Sequence, residues 1–193
     1  MGTKGSANRQ RIVDAADNLF YSRGYNQTSF SDISEQTGIP RGNFYYYFKT
    51  KEDILQAVID ARVDEYSQLL SECNQASNDP AIRLQQFAQV PLMQEDKVLK
   101  YGCPVGTLGS ELIKDQDQGI LQDRLTAVFD VLLEWCIAQF KALGFEHKAH
   151  DYAMDLLAKL QGISILSNIY NDREFLHRST QDVQQWLKRL AVN

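Results

Sequence analysis

The stretch from Gly24 to Phe48 admits few folds, because its punctuation leaves room only for helices too short to stand alone. Ahead of it, Ile12, Ala15, Ala16, Leu19 and Phe20 recur at helical spacing. They predict a helix from Asn8 to Arg23 that stops at Gly24. Ser29 and Asp32 then stand in the S-x-x-D relation of a capping box, so a second helix opens there, buries Ile33 and ends at Gly38. Pro40 can begin another helix without wasting a backbone donor, and the residues that follow, Arg41 to Phe48, are largely aromatic. Two short helices joined across Thr37-Gly38-Ile39 are what a helix-turn-helix requires.

The rest of the chain is also helical in pattern. Thr50 reads as the N-cap of a long fourth helix, with Glu52 and Asp53 in its first turn and Ile54, Leu55, Val58 and Ile59 on its buried side. Asn78-Asp79-Pro80 starts a fifth helix, and Gly102-Cys103-Pro104 precedes a sixth. Long helices follow near 120–143 and 148–169, separated by Gly144, with a last one near 180–192. No strand-like run interrupts them. The expectation is an all-α chain of about nine helices, with a three-helix helix-turn-helix domain over residues 8–53 and a larger helical domain over 54–193.

Charge separates along the same line. The net charge is −5, yet residues 1–51 carry seven basic and four acidic side chains, so the excess of acid lies entirely in the remainder. A basic head on an acidic body concentrates attraction for phosphate at one end. Cys73, Cys103 and Cys136 are odd in number and widely spaced, which excludes a disulfide framework or a zinc knuckle and suits a reducing compartment. With no apolar stretch of spanning length and a polar start, the reading is a cytoplasmic protein with no membrane partner. His147 and His150, flanked by Glu146 and Asp151, read as a solvated helix end and not as a metal site. No phosphate-binding glycine loop, nucleophile elbow or H-E-x-x-H pair is present, so neither an enzyme nor a cofactor is expected.

The third helix carries the chemistry. Phe44 and Phe48, four apart, can pack inward on Leu19, Phe20 and Ile33, which turns Arg41, Asn43, Tyr45, Tyr46 and Tyr47 outward. Three adjacent tyrosines cannot all face a core from one helix. On a polar face they suit DNA: the hydroxyl reaches phosphate and the ring packs on sugar or a thymine methyl. Arg41 and Asn43 are the residue types that pair with guanine and adenine edges, while Gly42 lets the backbone approach a phosphate. Lys51 offers a point charge to the backbone.

Thr28-Ser-Phe-Ser-Asp-Ile33 and then Gly38-Ile-Pro-Arg-Gly-Asn-Phe-Tyr-Tyr-Tyr-Phe-Lys-Thr-Lys-Glu-Asp-Ile54 resemble the TetR family of bacterial repressors over residues 9–60. The resemblance implies that Thr28 and Ser29 lie near phosphate and that Arg41 to Tyr46 enter the major groove. Tyr45, Tyr47 and Lys51 would then grip the backbone. Pro40 replaces the serine with which many members cap this helix. For the larger domain the resemblance implies a helical, dimeric, ligand-binding body.

Within that body, the Gly102-Cys103-Pro104 turn before a glycine-containing helix is similar to one subgroup of these regulators, in which the sixth helix links ligand cavity and DNA-binding domain. The expected cavity residues are Phe87, Tyr101, Cys103, Thr107, Phe129 and Trp135. Cys103 reads first as a small buried wall residue and second as a thiol open to electrophiles or oxidants. The apolar stripes of the last two long helices are broad enough to face both a core and a partner. Leu160, Ile163, Leu166, Val183, Trp186 and Leu190 are the expected dimer interface. The functional expectation is a homodimeric repressor on a palindromic operator in duplex DNA, released by a small-molecule inducer. The alternatives are a ligand-independent DNA-binding activator, or a redox- or electrophile-responsive repressor acting through Cys103.

Overall fold

The computed structural model describes residues 3–113 and 119–192, and every regular element among them is an α-helix. In chain order these are α1 (Thr3–Arg23), α2 (Phe30–Thr37), α3 (Arg41–Tyr47), α4 (Lys51–Ala76), α5 (Pro80–Phe87), α6 (Val90–Met93), α7 (Glu95–Tyr101), α8 (Pro104–Leu112), α9 (Gly119–Ala142), α10 (Ala149–Tyr170) and α11 (Arg173–Val192).

Two differences from the sequence expectation have local causes. The single fifth helix is three pieces, α5, α6 and α7, because Pro91 has no N–H to offer the Phe87 carbonyl and the helix cannot run through it. Tight turns bridge the break, with Gln89 N–H donating to Gln86 O at 3.0 Å and Leu92 N–H to Gln89 O at 2.8 Å. The last helix begins at Arg173 and not near Thr180. Asn171 ends α10 in the left-handed region, and the Asp172 carboxylate accepts the Phe175 N–H at 2.8 Å, which caps α11 early. The longer helix buries Leu176 and Thr180 on the same stripe as Val183 and Leu187.

The chain divides into two compact units. One holds the described residues up to Asp64 with those between Thr107 and Thr126; the other holds Glu65–Gly106 with those from Ala127 onward. The expected boundary at 53/54 falls inside α4, which stays with the first unit as far as Asp64. α8 is likewise divided, its first turn belonging to one unit and the rest to the other.

In the first unit Ile12, Ala16, Ile33, Phe44, Ile54, Leu55 and Val58 are fully buried or nearly so, and they fasten α2 and α3 onto α1 and α4. Arg62 on α4, almost wholly buried, donates through Nε to the Asp17 carboxylate on α1 at 2.7 Å. In the second unit α10 is the central helix. Leu156, Leu157, Leu160 and Ile163 are buried there with Leu84, Phe87, Val98, Cys136, Phe140, Leu176 and Leu187. Burial pushes the Cys136 thiol far above its ordinary pKa and raises that of Cys73, so both behave as small apolar residues.

Candidate functional site

Two contiguous caps build the helix-turn-helix. Ser29 Oγ accepts the Asp32 N–H while the Asp32 carboxylate accepts the Ser29 N–H at 2.8 Å, completing the capping box of α2. Gly38 closes α2 at φ +67°, a left-handed conformation that costs glycine nothing. Thr37 Oγ1 accepts the Ile39 N–H at 3.2 Å, and Arg11 Nη2 donates to Thr37 O at 2.6 Å, which ties the turn to α1. The Asp32 carboxyl is held below its ordinary pKa, chiefly by the Ser29 side-chain and backbone hydrogen bonds. A group with a lowered folded-state pKa stabilises the fold above its unfolded value and loses that contribution as pH falls through the folded one. The stability difference between wild type and Asp32→Asn should therefore be constant from neutrality down to about pH 4 and shrink below it. A pH series of urea midpoints measures this, and a difference that grew on acidification would contradict the assignment.

α3 splits its side chains as its spacing requires. Phe44 is fully buried, set edge-on to Phe30 at a centroid distance of 6.0 Å, and Phe48 is buried just beyond the helix. The opposite face leaves Arg41, Gly42, Asn43, Tyr45 and Tyr46 exposed, Tyr46 at 71%. The ring of Tyr45 stacks on Phe30, and that of Tyr46 stands edge-on to the half-buried Tyr47 at 5.1 Å. A large aromatic at the tip of a polar helix face is poorly placed for water and well placed for a partner.

Thr28 and Lys51 stand differently. Thr28 is 2% exposed and its hydroxyl donates to Gly24 O at 2.8 Å, fixing the loop between α1 and α2. Lys51 is half-buried: Nζ lies 4.1 Å from the Tyr25 ring centroid and donates to Tyr25 O and Thr28 O at 3.1 and 3.2 Å. Ser29 is exposed at the helix start.

The second unit holds an apolar cavity of about 60 Å³, partly open to solvent. Phe87, Val98, Leu132, Leu157 and Leu160 form its walls, with Tyr66, Gln94, Gln161, Ser164 and Cys103 as polar groups. Of the expected residues, Phe87 and Cys103 line it. Trp135 packs against Phe87 at 5.6 Å with its Nε1 donating to Asn74 Oδ1 at 3.1 Å. Tyr101, Thr107 and Phe129 are not among the described lining residues. Cys103 occupies the N-cap position of α8, and its Sγ accepts the Gly106 N–H at 3.4 Å and the Gln161 Nε2–H at 3.3 Å.

Comparison with known proteins settles the family. Residues 12–58 match the model of bacterial regulatory proteins of the tetR family. The chain is 31% identical over 173 residues, 87% of each chain, to an uncharacterized HTH-type transcriptional regulator in the lacX 3' region of Lactococcus lactis subsp. lactis. The chain is a TetR-family transcriptional regulator. Among its relatives is the HTH-type transcriptional repressor DhaR of Mycobacterium sp. (strain GP1), 27% identical over 86% of this chain and 85% of that protein. A TetR transcriptional regulator from Legionella pneumophila shares the fold, with a TM-score of 0.80, 24% identity and coverage of 96% of this chain and 97% of that one.

Two further features of this TetR-family chain were not anticipated. Leu160, Ile163 and Val183, expected at a partner interface, are buried in the chain's own core, and Trp186 and Leu190 are partly buried against it. About half a turn around the helix separates that inward stripe from an outward one on α10, where Ile165, Leu166, Ile169 and Tyr170 are exposed, at 55, 41, 65 and 75%. Glu111, the one acidic residue of α8, accepts the Tyr25 and Asn26 N–H groups at 2.9 and 2.6 Å. Gly24, at φ +93°, makes room for it, since a Cβ there would sit 3.0 Å from Glu111 Oε2. A lone carboxylate in an apolar helix was the sequence signal for Glu111. For Gln161 it was the row Gln161, Ser164, Asn168 on the largely apolar C-terminal half of α10, which turns polar atoms inward.

Proposed function

We propose that this DNA-binding regulator is a homodimeric, cytoplasmic repressor of a palindromic operator, released when a small molecule fills the cavity of the second unit. The observation that carries the reading is the outward face of α3, where Arg41, Asn43, Tyr45 and Tyr46 stand exposed on a helix anchored by Phe44. One helix of seven residues makes too few base contacts for specific binding, which calls for a second copy. The relative DhaR is a transcriptional repressor, which supports repression here. Release requires that the ligand bind better to a conformer whose recognition helices no longer fit successive grooves. α8 supports such coupling by continuity of chain: its first turn belongs to the unit with the cavity and its last carries Glu111, which holds the loop before α2.

The test compares Asn43→Ala with Tyr46→Ala in anisotropy titrations on operator and random duplexes. Tyr46→Ala should weaken both alike. Asn43→Ala should relax discrimination at one base pair per half-site, by about 1–3 kcal/mol for a bidentate contact. Equal effects of Asn43→Ala on operator and random DNA would remove it from base readout.

A second reading, release through modification of Cys103, is favoured by one observation. Its sulfur sits at the cavity wall, where a reagent that enters the cavity meets it. Rapid iodoacetamide labelling near neutral pH, with release by electrophiles abolished in Cys103→Ser, selects that reading. Slow labelling leaves Cys103 as wall and helix cap.

A further inference from the structure

We infer that the cavity takes an uncharged, largely apolar molecule bearing a carbonyl-type hydrogen-bond acceptor, and that the Gln161 side-chain amide recognises it. The inference rests on the reading above that this cavity holds the inducer. The walls supply hydrocarbon and aromatic carbon from Phe87, Val98, Leu132 and Leu157, and the described polar groups at the wall are uncharged: two amides, hydroxyls and a thiol. A charged ligand there would lose its hydration without gaining an opposite charge from the described wall residues, a cost far larger than that of a neutral carbonyl.

Two amides line the wall, and Gln161 is the half-buried one, Gln94 being exposed. The Ser164 hydroxyl already donates to Leu160 O at 2.9 Å. The Gln161 Nε2–H is directed instead at the sulfur of Cys103, a weak acceptor, so exchange for a carbonyl oxygen is favourable. Its Oε1 lies over Gly106, only 2.6 Å from where a Cβ would stand, so a side chain at this turn of α8 would displace the amide from its present position. Recognition and the start of α8 are therefore linked: a ligand that takes Nε2 takes it from the residue that caps α8.

The experiment uses the full chain without DNA and four fluorescent probes of similar size. These are 6-propionyl-2-(dimethylamino)naphthalene, neutral with one ketone; N-phenyl-1-naphthylamine, neutral without an acceptor; 8-anilino-1-naphthalenesulfonate, an anion; and ethidium, a cation. The ketone and the neutral amine should each bind once per chain, about tenfold or more tighter than either ion. Val90→Trp, which fills the cavity, should abolish that binding. Gln161→Leu should weaken the ketone about fivefold and shift its emission to the blue, leaving the neutral amine unchanged. Gln161→Met repeats the test should the leucine variant melt early by circular dichroism. Tighter binding of either ion overturns the inference. So does unchanged ketone affinity and emission in both Gln161 variants, or unchanged binding in Val90→Trp. The probe series is read apart from DNA, so these failures leave the regulator reading standing. Failure of the wild-type protein to bind duplex DNA specifically would sink that reading without altering the probe order.

Discussion

Leu166→Asp and Ile169→Asp are each expected to leave the chain folded and to abolish both dimerisation and operator binding. Both side chains are exposed on α10, so neither change opens a hole in the core, and thermal melting of the isolated chain should shift little. In the proposed dimer each would place a carboxylate, twice by symmetry, in an apolar contact. At about 3 kcal/mol the dissociation constant rises roughly 150-fold. Sedimentation at micromolar concentration should then show monomers, and affinity for a two-half-site operator should fall to that of a single helix-turn-helix. Trp186→Asp is a poorer test, because Trp186 packs on Phe140 and Tyr152 and its loss would damage the core as well. A folded, dimeric Ile169→Asp would place the interface elsewhere.

The second large effect is on the head alone. Phe44 is fully buried on a helix of seven residues that has no side-chain cap and cannot hold itself together. Phe44→Ala removes the ring that Phe30 packs against and should cost about 3–5 kcal/mol, a large share of the stability of a unit this size. DNA binding should vanish, while the near-ultraviolet signal of Trp135 and Trp186, both in the second unit, persists. Tyr46→Ala, on the opposite face, should cost binding without moving the urea midpoint. If both substitutions unfolded the unit equally, Tyr46 would be a core residue and the division of α3 into two faces would be wrong.

The contrast between these residues shows where sequence suffices. The helix-turn-helix was legible because its signals are local: Ser29 and Asp32 three apart, Gly38 as a stop, Phe44 and Phe48 one turn apart with tyrosines between them. Each is a short-range rule, and the structure obeys each. The facing of α10 was not legible. Its run Gly162-Ile-Ser-Ile-Leu-Ser-Asn-Ile169 is apolar on more than one side, so periodicity offers no single polar face to turn outward. Which stripe meets the chain's own α7 and α11 and which is left open depends on packing between residues far apart in sequence. From sequence alone Leu160 and Ile163 are therefore expected at a partner interface, whereas both lie in the chain's own core. The cavity wall was hidden for the same reason. Gln161 and Cys103 are 58 residues apart, and only the folded chain brings amide and thiol together. The break at Pro91, by contrast, is missed by the sequence reading although proline chemistry alone predicts it.

The most direct measurement of the central claim is selection from a random duplex library by the wild-type protein at near-physiological salt, repeated with Asn43→Ala. The account predicts a palindromic motif whose half-site centres lie about one helical turn of DNA or a multiple apart. It also predicts that the variant enriches the same motif with preference relaxed at one symmetric base pair. Recovery of no motif, or of an identical motif by the Asn43→Ala protein, would contradict the assignment of α3 as the element that reads the operator.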